Sequence, residues 1–285
     1  MPGVGRNARL SRVPGWLTGI AAGGLFLLLL RAERSRALRG PTQPKGPRLA
    51  RNLALAATGA LALNVLQRPL IEPLSQVVAR RRLGLLGALR LPLFLEVLAA
   101  VLLLDYTLYL WHLLTHRVPF LWRFHLVHHL DLDLDASTAL RFHFGELSLS
   151  VLFRAAQVLL LGISPLPLSI WQGLLLLSIL FQHSDVRLGP GTEARLSRLL
   201  VTPVLHGIHH GATLEDTDSN WSSGLTLWDR LHGTLRLHRA AEKTGVPGYR
   251  DPAELTLLRL LELPFTRQRP AFKELAVTAG SVQAS

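Results

Sequence analysis

The chain contains no cysteine among its 285 residues. That excludes disulfides, thiolate metal sites, cysteine nucleophiles and cysteine-held iron–sulfur clusters, so any metal must rest on nitrogen and oxygen ligands. Acidic residues are also scarce: 19 Asp+Glu stand against 31 Lys+Arg, a net charge of +12. A nucleic-acid binder can show such a balance, but there is no recognition motif and no interleaving of aromatic with basic residues, so no nucleic-acid partner is expected. What the chain does have is apolar residues in blocks. They make up 49% of the sequence, and the mean hydropathy is +0.29.

The basic residues flank those blocks, as they do in a membrane protein facing anionic lipid. Arg6, Arg9 and Arg12 precede the first run; Arg31, Arg34, Arg36, Arg39, Lys45, Arg48 and Arg51 follow it. Val13 to Leu30 is uncharged and long enough to cross a hydrocarbon core of about 30 Å. No A-x-A pattern follows it, which favours a retained helix over a cleaved signal peptide. Asn52 to Leu66 is a second run, ending near Pro69 and Pro73. Leu91 to Leu104 is a third, read as continuing in one helix to His112. Leu147 to Ile163 and Leu166 to Gln182 form a hairpin about Ser164-Pro165-Leu166-Pro167. Arg154 lies inside its first arm and must snorkel or face the protein, because an isolated charge at mid-bilayer is costly. The fold class is therefore all-α, with about four to five spans or half-spans.

Positive-inside counting puts the 31–51 linker in the cytoplasm, and the helices that follow return the histidines to the same side. The Arg80-Arg81-Arg82 triplet then falls on the opposite side and fits an interfacial helix better. Near the end, Asp251-Pro252-x-Glu254 predicts a helix start that runs to about Leu263, and residues 266–285 are expected to lack structure. The expected organisation is a membrane anchor and linker over 1–90, a catalytic region over 91–240, and a terminal helix and tail over 241–285.

Three histidine clusters carry the chemistry. They are His112-x3-His116, His125-x2-His128-His129 and His206-x2-His209-His210, eight of the chain's 12 histidines. Imidazole is the commonest side-chain metal ligand. Positions i and i+4 share a helix face, so His112 and His116 can meet at one centre. In H-x-x-H-H the three rings fan across one face, and one short helix can serve two metals. Zinc takes about four ligands, so eight are more than one zinc needs, and a two-metal site follows. His143 and His183 fall at the same level and are candidate additions to the shell; His232 and His238 lie outside the clusters. Hydrolytic zinc sites usually use three protein ligands, and one-iron oxygenases two histidines and a carboxylate. An O2-activating pair of irons suits the count better. A zinc hydrolase on the same scaffold stays open at this point, as does a metal carrier. A carrier, however, would place its histidines inside the spans, whereas most lie just beyond them.

The clusters, their order and their separations resemble the fatty acid hydroxylase and sterol desaturase superfamily. Trp122-Arg123-Phe124-His125 with Val127-His128-His129 is similar to its W-x-x-H-x-x-H-H. Arg141-Phe142-His143 is similar to R-x-H-P, and Phe181-Gln182-His183-Ser184 to F-x-H-S-N. His209-His210 with Asp218-Ser219-Asn220-Trp221 resembles H-H…N-Y-G, and Leu227 to Thr234 resembles L-W-D-R-L-F-G-T. The likeness covers roughly residues 90–240. Phe144 replaces the usual Pro, Asp185 the usual Asn and His232 the usual Phe; no core ligand position is lost.

The resemblance implies a helical membrane anchor under a cytosolic, His-lined cap that holds two iron ions. It implies O2 as co-substrate, a membrane lipid (fatty acyl, sterol or related) as substrate, and hydroxylation or desaturation as the reaction. Electrons should come from a separate ferredoxin- or cytochrome-type donor, since the chain carries no cluster ligands of its own. The layout is similar to bacterial members, which implies an inner-membrane location with the histidines facing the cytoplasm. The expected metal ligands are His112, His116, His125, His128, His129, His206, His209 and His210, joined by His183 and His143. Asp105, Glu146, Asp216 and Asp229 are candidates to orient them, because metal-bound histidines usually donate their other N–H to a carboxylate or carbonyl. Trp228 and Asp229 fit a structural role better than a catalytic one.

Overall fold

A computed structural model describes residues 8–237, 241 and 243–272. Among the described residues there are helices, turns and three isolated bridges, and no strand. Five helical stretches are long and apolar enough to cross a membrane: Gly15–Ser35, Lys45–Leu89, Leu93–Arg117, Phe144–Leu161 and Pro165–His183. Their outward faces are apolar; Ile20, Leu27 and Leu28 on the first are each about two-thirds exposed, a surface suited to lipid rather than water.

Helix α1 (Gly15–Ser35) runs toward the side that carries the histidines. Helix α2 (Lys45–Ala62) turns back, passes through a π-helical turn at Leu63–Gln67 and continues as α3 (Arg68–Arg81). A short α4 (Gly84–Leu89) follows at the far end, and α5 (Leu93–Arg117) returns. Helix α6 (Pro119–His129) starts after one extended residue, Val118, with Pro119 in its first turn. Helices α7 (Phe144–Leu161) and α8 (Pro165–His183) are the expected hairpin. Its turn is fixed by contact with α4. Gly84 and Gly162 both have left-handed φ, of 72° and 77°, and a Cβ on Gly84 would stand 2.4 Å from Leu159 O and the Gly162 nitrogen. Only glycine fits that approach.

The core of the bundle is Ile71, Val78, Ala100, Leu104, Val151, Val158 and Trp171. Arg154 faces the protein, its guanidinium 4.2 Å from the centre of the Trp171 ring. The linker is tied to the histidine side. Arg39 and Asp185 form an ion pair, the Thr42 and Gln43 amides donate to Asp133, and Arg48 is buried against Asp131 and Asp135. The five candidate spans thus leave the linker and the three clusters at one end of the bundle, as the hairpin argument requires.

Above the bundle lie α9 (Pro190–Leu196), α10 (Pro203–His209), α11 (Leu214–Thr217), α12 (Leu227–His232) and α13 (Leu257–Glu262). Two expectations are corrected here. The helix foreseen from Asp251 to Leu263 is broken: Asp251 caps only the 3-10 turn Pro252–Glu254, Leu255 is drawn into the core, and Thr256 caps α13 as a fresh start. Residues 266–272 are packed rather than loose, with Ala271 and Phe272 against a core that includes Leu126, Leu130 and Tyr249. The rest of that segment, 273–285, lies outside the described residues, as does His238.

Candidate metal centre

The cluster histidines occupy helix ends that converge. Helix α5 carries His112 and His116 in its last two turns, and α6 carries His125, His128 and His129 in its last. Helix α8 ends on His183, and α10 supplies His206 and His209 with His210 as the next residue. Thr202 caps α10 by accepting from Leu205 N, which sets the angle at which its histidines enter.

The rings fall into two groups. His112, His116, His125, His129 and His209 form the first, and His128, His183, His206 and His210 the second. In each, one nitrogen per ring lies within 4.8 Å of all the others. Each H-x-x-H-H motif is divided between them. The i,i+4 pair His125 and His129 joins the first group and His128 the second; His206 and His210 join the second and His209 the first. The sequence argument that one such motif serves two centres describes this arrangement.

The nitrogens are spaced as ligands are. His183 Nε2 stands 3.0 Å from His128 Nε2 and 2.9 Å from His206 Nε2, and His206 Nε2 is 3.2 Å from His210 Nε2. Two nitrogens each about 2.1 Å from one ion, at a right angle, stand roughly 3 Å apart. In the first group, Nε2 of His116, His125, His129 and His209 is enclosed and has no hydrogen-bond partner. Buried polar atoms are nearly always partnered, so a convergent set of orphans fits a cation.

Outer contacts fix several tautomers. His112 Nδ1 donates to Trp221 O at 2.7 Å, His209 Nδ1 to Ser219 O at 2.8 Å and His183 Nδ1 to Ile179 O at 2.7 Å. His125 Nδ1 lies 2.8 Å from Glu146 Oε1. Carbonyl and carboxylate oxygens only accept, so the proton sits on Nδ1 and the Nε2 lone pair is left for a metal. Burial, and then the neighbouring imidazoles, hold His128, His129, His206 and His210 well below the usual histidine range. Burial takes His209 down to about 3. The rings are thereby kept neutral, the form that binds metal.

The other candidates separate. Glu146 touches a ring directly, as above. Asp229 acts one step further out: it accepts from Trp221 N at 2.8 Å and Ser222 N at 3.0 Å, and so holds the loop whose carbonyl receives His112. Asp105 accepts from Trp228 Nε1 at 2.7 Å and Leu225 N at 3.1 Å, pinning that loop to α5 without reaching a ring. Asp216 sits in α11 beside Gly211, outside both groups. His143 also lies outside both, against expectation. It caps α7, its Nδ1 accepting from Gly145 N at 2.9 Å and its Nε2 donating to Leu261 O at 3.1 Å, so both ring nitrogens are engaged. Exposed His232 stacks on Tyr109 with centroids 4.9 Å apart.

Sequence reasoning missed a buried network beside the centre. Asp131 accepts from Arg48 Nη1 and Asn52 Nδ2, each at 3.0 Å, and Arg141 donates to Asn52 Oδ1 at 2.8 Å and to Val127 O at 2.9 Å. Its visible signal was the alternation Asp131-Leu-Asp133-Leu-Asp135 directly after the second cluster. Acids at alternate places in a leucine run need buried partners.

The fold thus sets helices long and apolar enough to cross a membrane under two converging histidine groups, each able to hold a metal ion. Residues 97–234 match the family described as fatty acid hydroxylase. It is 31% identical to the ornithine lipid hydroxylase OlsE of Rhizobium tropici over 62% of this chain and 52% of that protein. It is 32% identical to human alkylglycerol monooxygenase over 48% of this chain and 30% of that protein. With human cholesterol 25-hydroxylase the identity is 31%, over 50% of this chain and 51% of the other. The chain thus spans about half or less of the length of these relatives. No solved structure matches it.

Proposed function

We propose that the chain is a membrane lipid hydroxylase with two irons in the two histidine groups. The observation that carries this reading is the division of both H-x-x-H-H motifs between two convergent sets of buried nitrogens. When bound, two irons supply the O2 chemistry needed to break an unactivated C–H bond. Overall, a C–H bond, O2, two electrons and two protons give an alcohol and water. His112, His116, His125, His129 and His209 would hold one iron, and His128, His183, His206 and His210 the other. Glu146 orients His125, and the carbonyls of Trp221, Ser219 and Ile179 orient His112, His209 and His183. His116, the one half-buried member, marks the side from which a lipid C–H bond would approach.

The named relatives act on an ornithine lipid, an alkylglycerol and cholesterol, which favours hydroxylation over desaturation and a membrane lipid as substrate. The residues here have no cysteine to hold an iron–sulfur cluster, and a ferredoxin- or cytochrome-type donor would supply the electrons. The histidine side faces the cytoplasm of a bacterial inner membrane, where such donors are found.

The test is metal content of the purified, detergent-solubilised protein by mass spectrometry with Mössbauer spectra, followed by comparison of host lipids with and without the protein. About two irons per chain, one for each group, and a hydroxylated lipid that depends on the protein are expected. Two zincs in iron-replete cells would turn the reading to hydrolysis, and absence of metal would overturn it.

A further inference from the structure

The face of the bundle away from the histidines carries a second polar site. Helix α3 ends in Arg80 and Arg81, and α4 is flanked by Arg82 and Arg90. Arg82 and Arg90 have φ of 54° and 50°. Glycine adopts this left-handed backbone freely, and other L-residues only at a cost. Glycine does hold the adjoining left-handed positions, Gly84 and Gly162. Among the described residues the one other non-glycine with positive φ is Asn220, a type that tolerates it. Two arginines therefore stand where the backbone favours glycine, and what they add is the guanidinium.

Those side chains border a hollow of about 210 Å³, together with Arg9, Arg80, Glu96 and Ser164. The acid is already engaged: Glu96 takes Arg9 Nε at 2.5 Å and Ser164 Oγ at 2.7 Å. Arg80, Arg82 and Arg90 are exposed and have no ion pair or side-chain hydrogen bond among the described residues. Beside them Leu83, Leu85 and Leu89 are 38%, 48% and 55% exposed, while Leu86 is buried against the bundle. Exposed leucines next to unpaired arginines, at the ends of the spans, match the boundary between acyl chains and headgroups.

We propose that this corner binds the headgroup of an anionic phospholipid, Arg80, Arg82 and Arg90 donating to its phosphate. The guanidinium fork matches phosphate oxygens, and the apolar side of α4 meets the acyl chains. The arginine triplet that sat awkwardly with positive-inside counting thereby gains a role that is independent of the metal centre.

Native mass spectrometry of the delipidated full chain, titrated with phosphatidylglycerol or phosphatidylcholine, tests this. One phosphatidylglycerol should be retained with a preference on the order of tenfold, lost in the R82G/R90G variant. That variant should melt no lower than the parent, since glycine relieves the left-handed backbone. R82Q/R90Q should lose the preference equally, and K243Q/R250Q, on the histidine side, should keep it. Equal retention of the two lipids, or selectivity surviving in R82G/R90G, would overturn the site. Displacement by inorganic phosphate at equal concentration would overturn the lipid as its occupant.

Discussion

The two histidine groups are built from the same motif but held in different ways. In the first, three of five rings are fixed from outside: His112 and His209 by carbonyls, His125 by the Glu146 carboxylate. In the second, only His183 has such a contact, and Nδ1 of His128, His206 and His210 is enclosed without a partner. There the rings are placed by packing. His128 stacks on Phe142 at 4.3 Å and His210 on His129 at 4.3 Å. The first group is pre-set by hydrogen bonds and includes the half-buried His116; the second is sealed, and its nitrogens crowd one another at about 3 Å. Orientation by hydrogen bond gives ligand basicity as well as geometry, whereas packing gives geometry alone. The difference assigns the tuned position to the open side and the plainly held one to the sealed side.

Deleting a histidine of either group has the largest expected effect. Each motif contributes to both groups, so His209→Ala takes a ring from the first and His128→Ala takes one from the second. Each should lower iron content and abolish turnover. Mössbauer spectra of the pair should show different residual sites, and full iron with full activity in either variant would sink the ligand assignment.

Glu146→Gln comes next and should separate the groups. It leaves every ring in place but weakens the acceptor on His125. Loss of such an orienting partner typically lowers metal affinity by about 10–100-fold. Chelator competition should show one of two metals leaving early, with the other unchanged. Equal weakening of both would mean that the two groups are not independently held.

Asp229→Asn should act on the first group through its backbone. The carboxylate gathers Trp221 N, Ser222 N and Thr234 Oγ1, and so positions the carbonyl that receives His112. An amide can satisfy only part of that set, and an unsatisfied buried group costs about 1–3 kcal/mol. A lower Tm with a smaller loss of metal affinity than in Glu146→Gln is expected. A larger affinity loss would promote Asp229 from scaffold to direct participant.

What the sequence made legible follows the same division. Ring spacing is local, and i, i+3 and i+4 on one helix prescribe how H-x-x-H-H fans out, so the division of each motif between two groups of rings is legible in the spacing. The spans were readable from hydropathy, and the hairpin turn from Ser164-Pro165. The partners of the rings were not, except Glu146. Three of the four are backbone carbonyls, which every residue owns and no composition reveals. The break at Leu255 was equally hidden, because Asp251-Pro252-x-Glu254 is a valid start signal and only tertiary burial of Leu255 ends the turn it opens.

His143 is where local context misleads and where the smallest effect is expected. A histidine that follows Arg141-Phe142, at the level of the clusters, reads as a ligand, yet it stands just before Phe144 and its ring does the work of a capping side chain. Both nitrogens are engaged, one by Gly145 N and one by Leu261 O, which ties the start of α7 to α13. His143→Ala should therefore lose a cap worth about 1 kcal/mol and lower Tm slightly, with metal content unchanged. His143→Asn, which can still accept from Gly145 N, should recover most of that loss. If instead the alanine variant releases metal while its melting is unaffected, His143 belongs to the centre after all and α7 is capped without it.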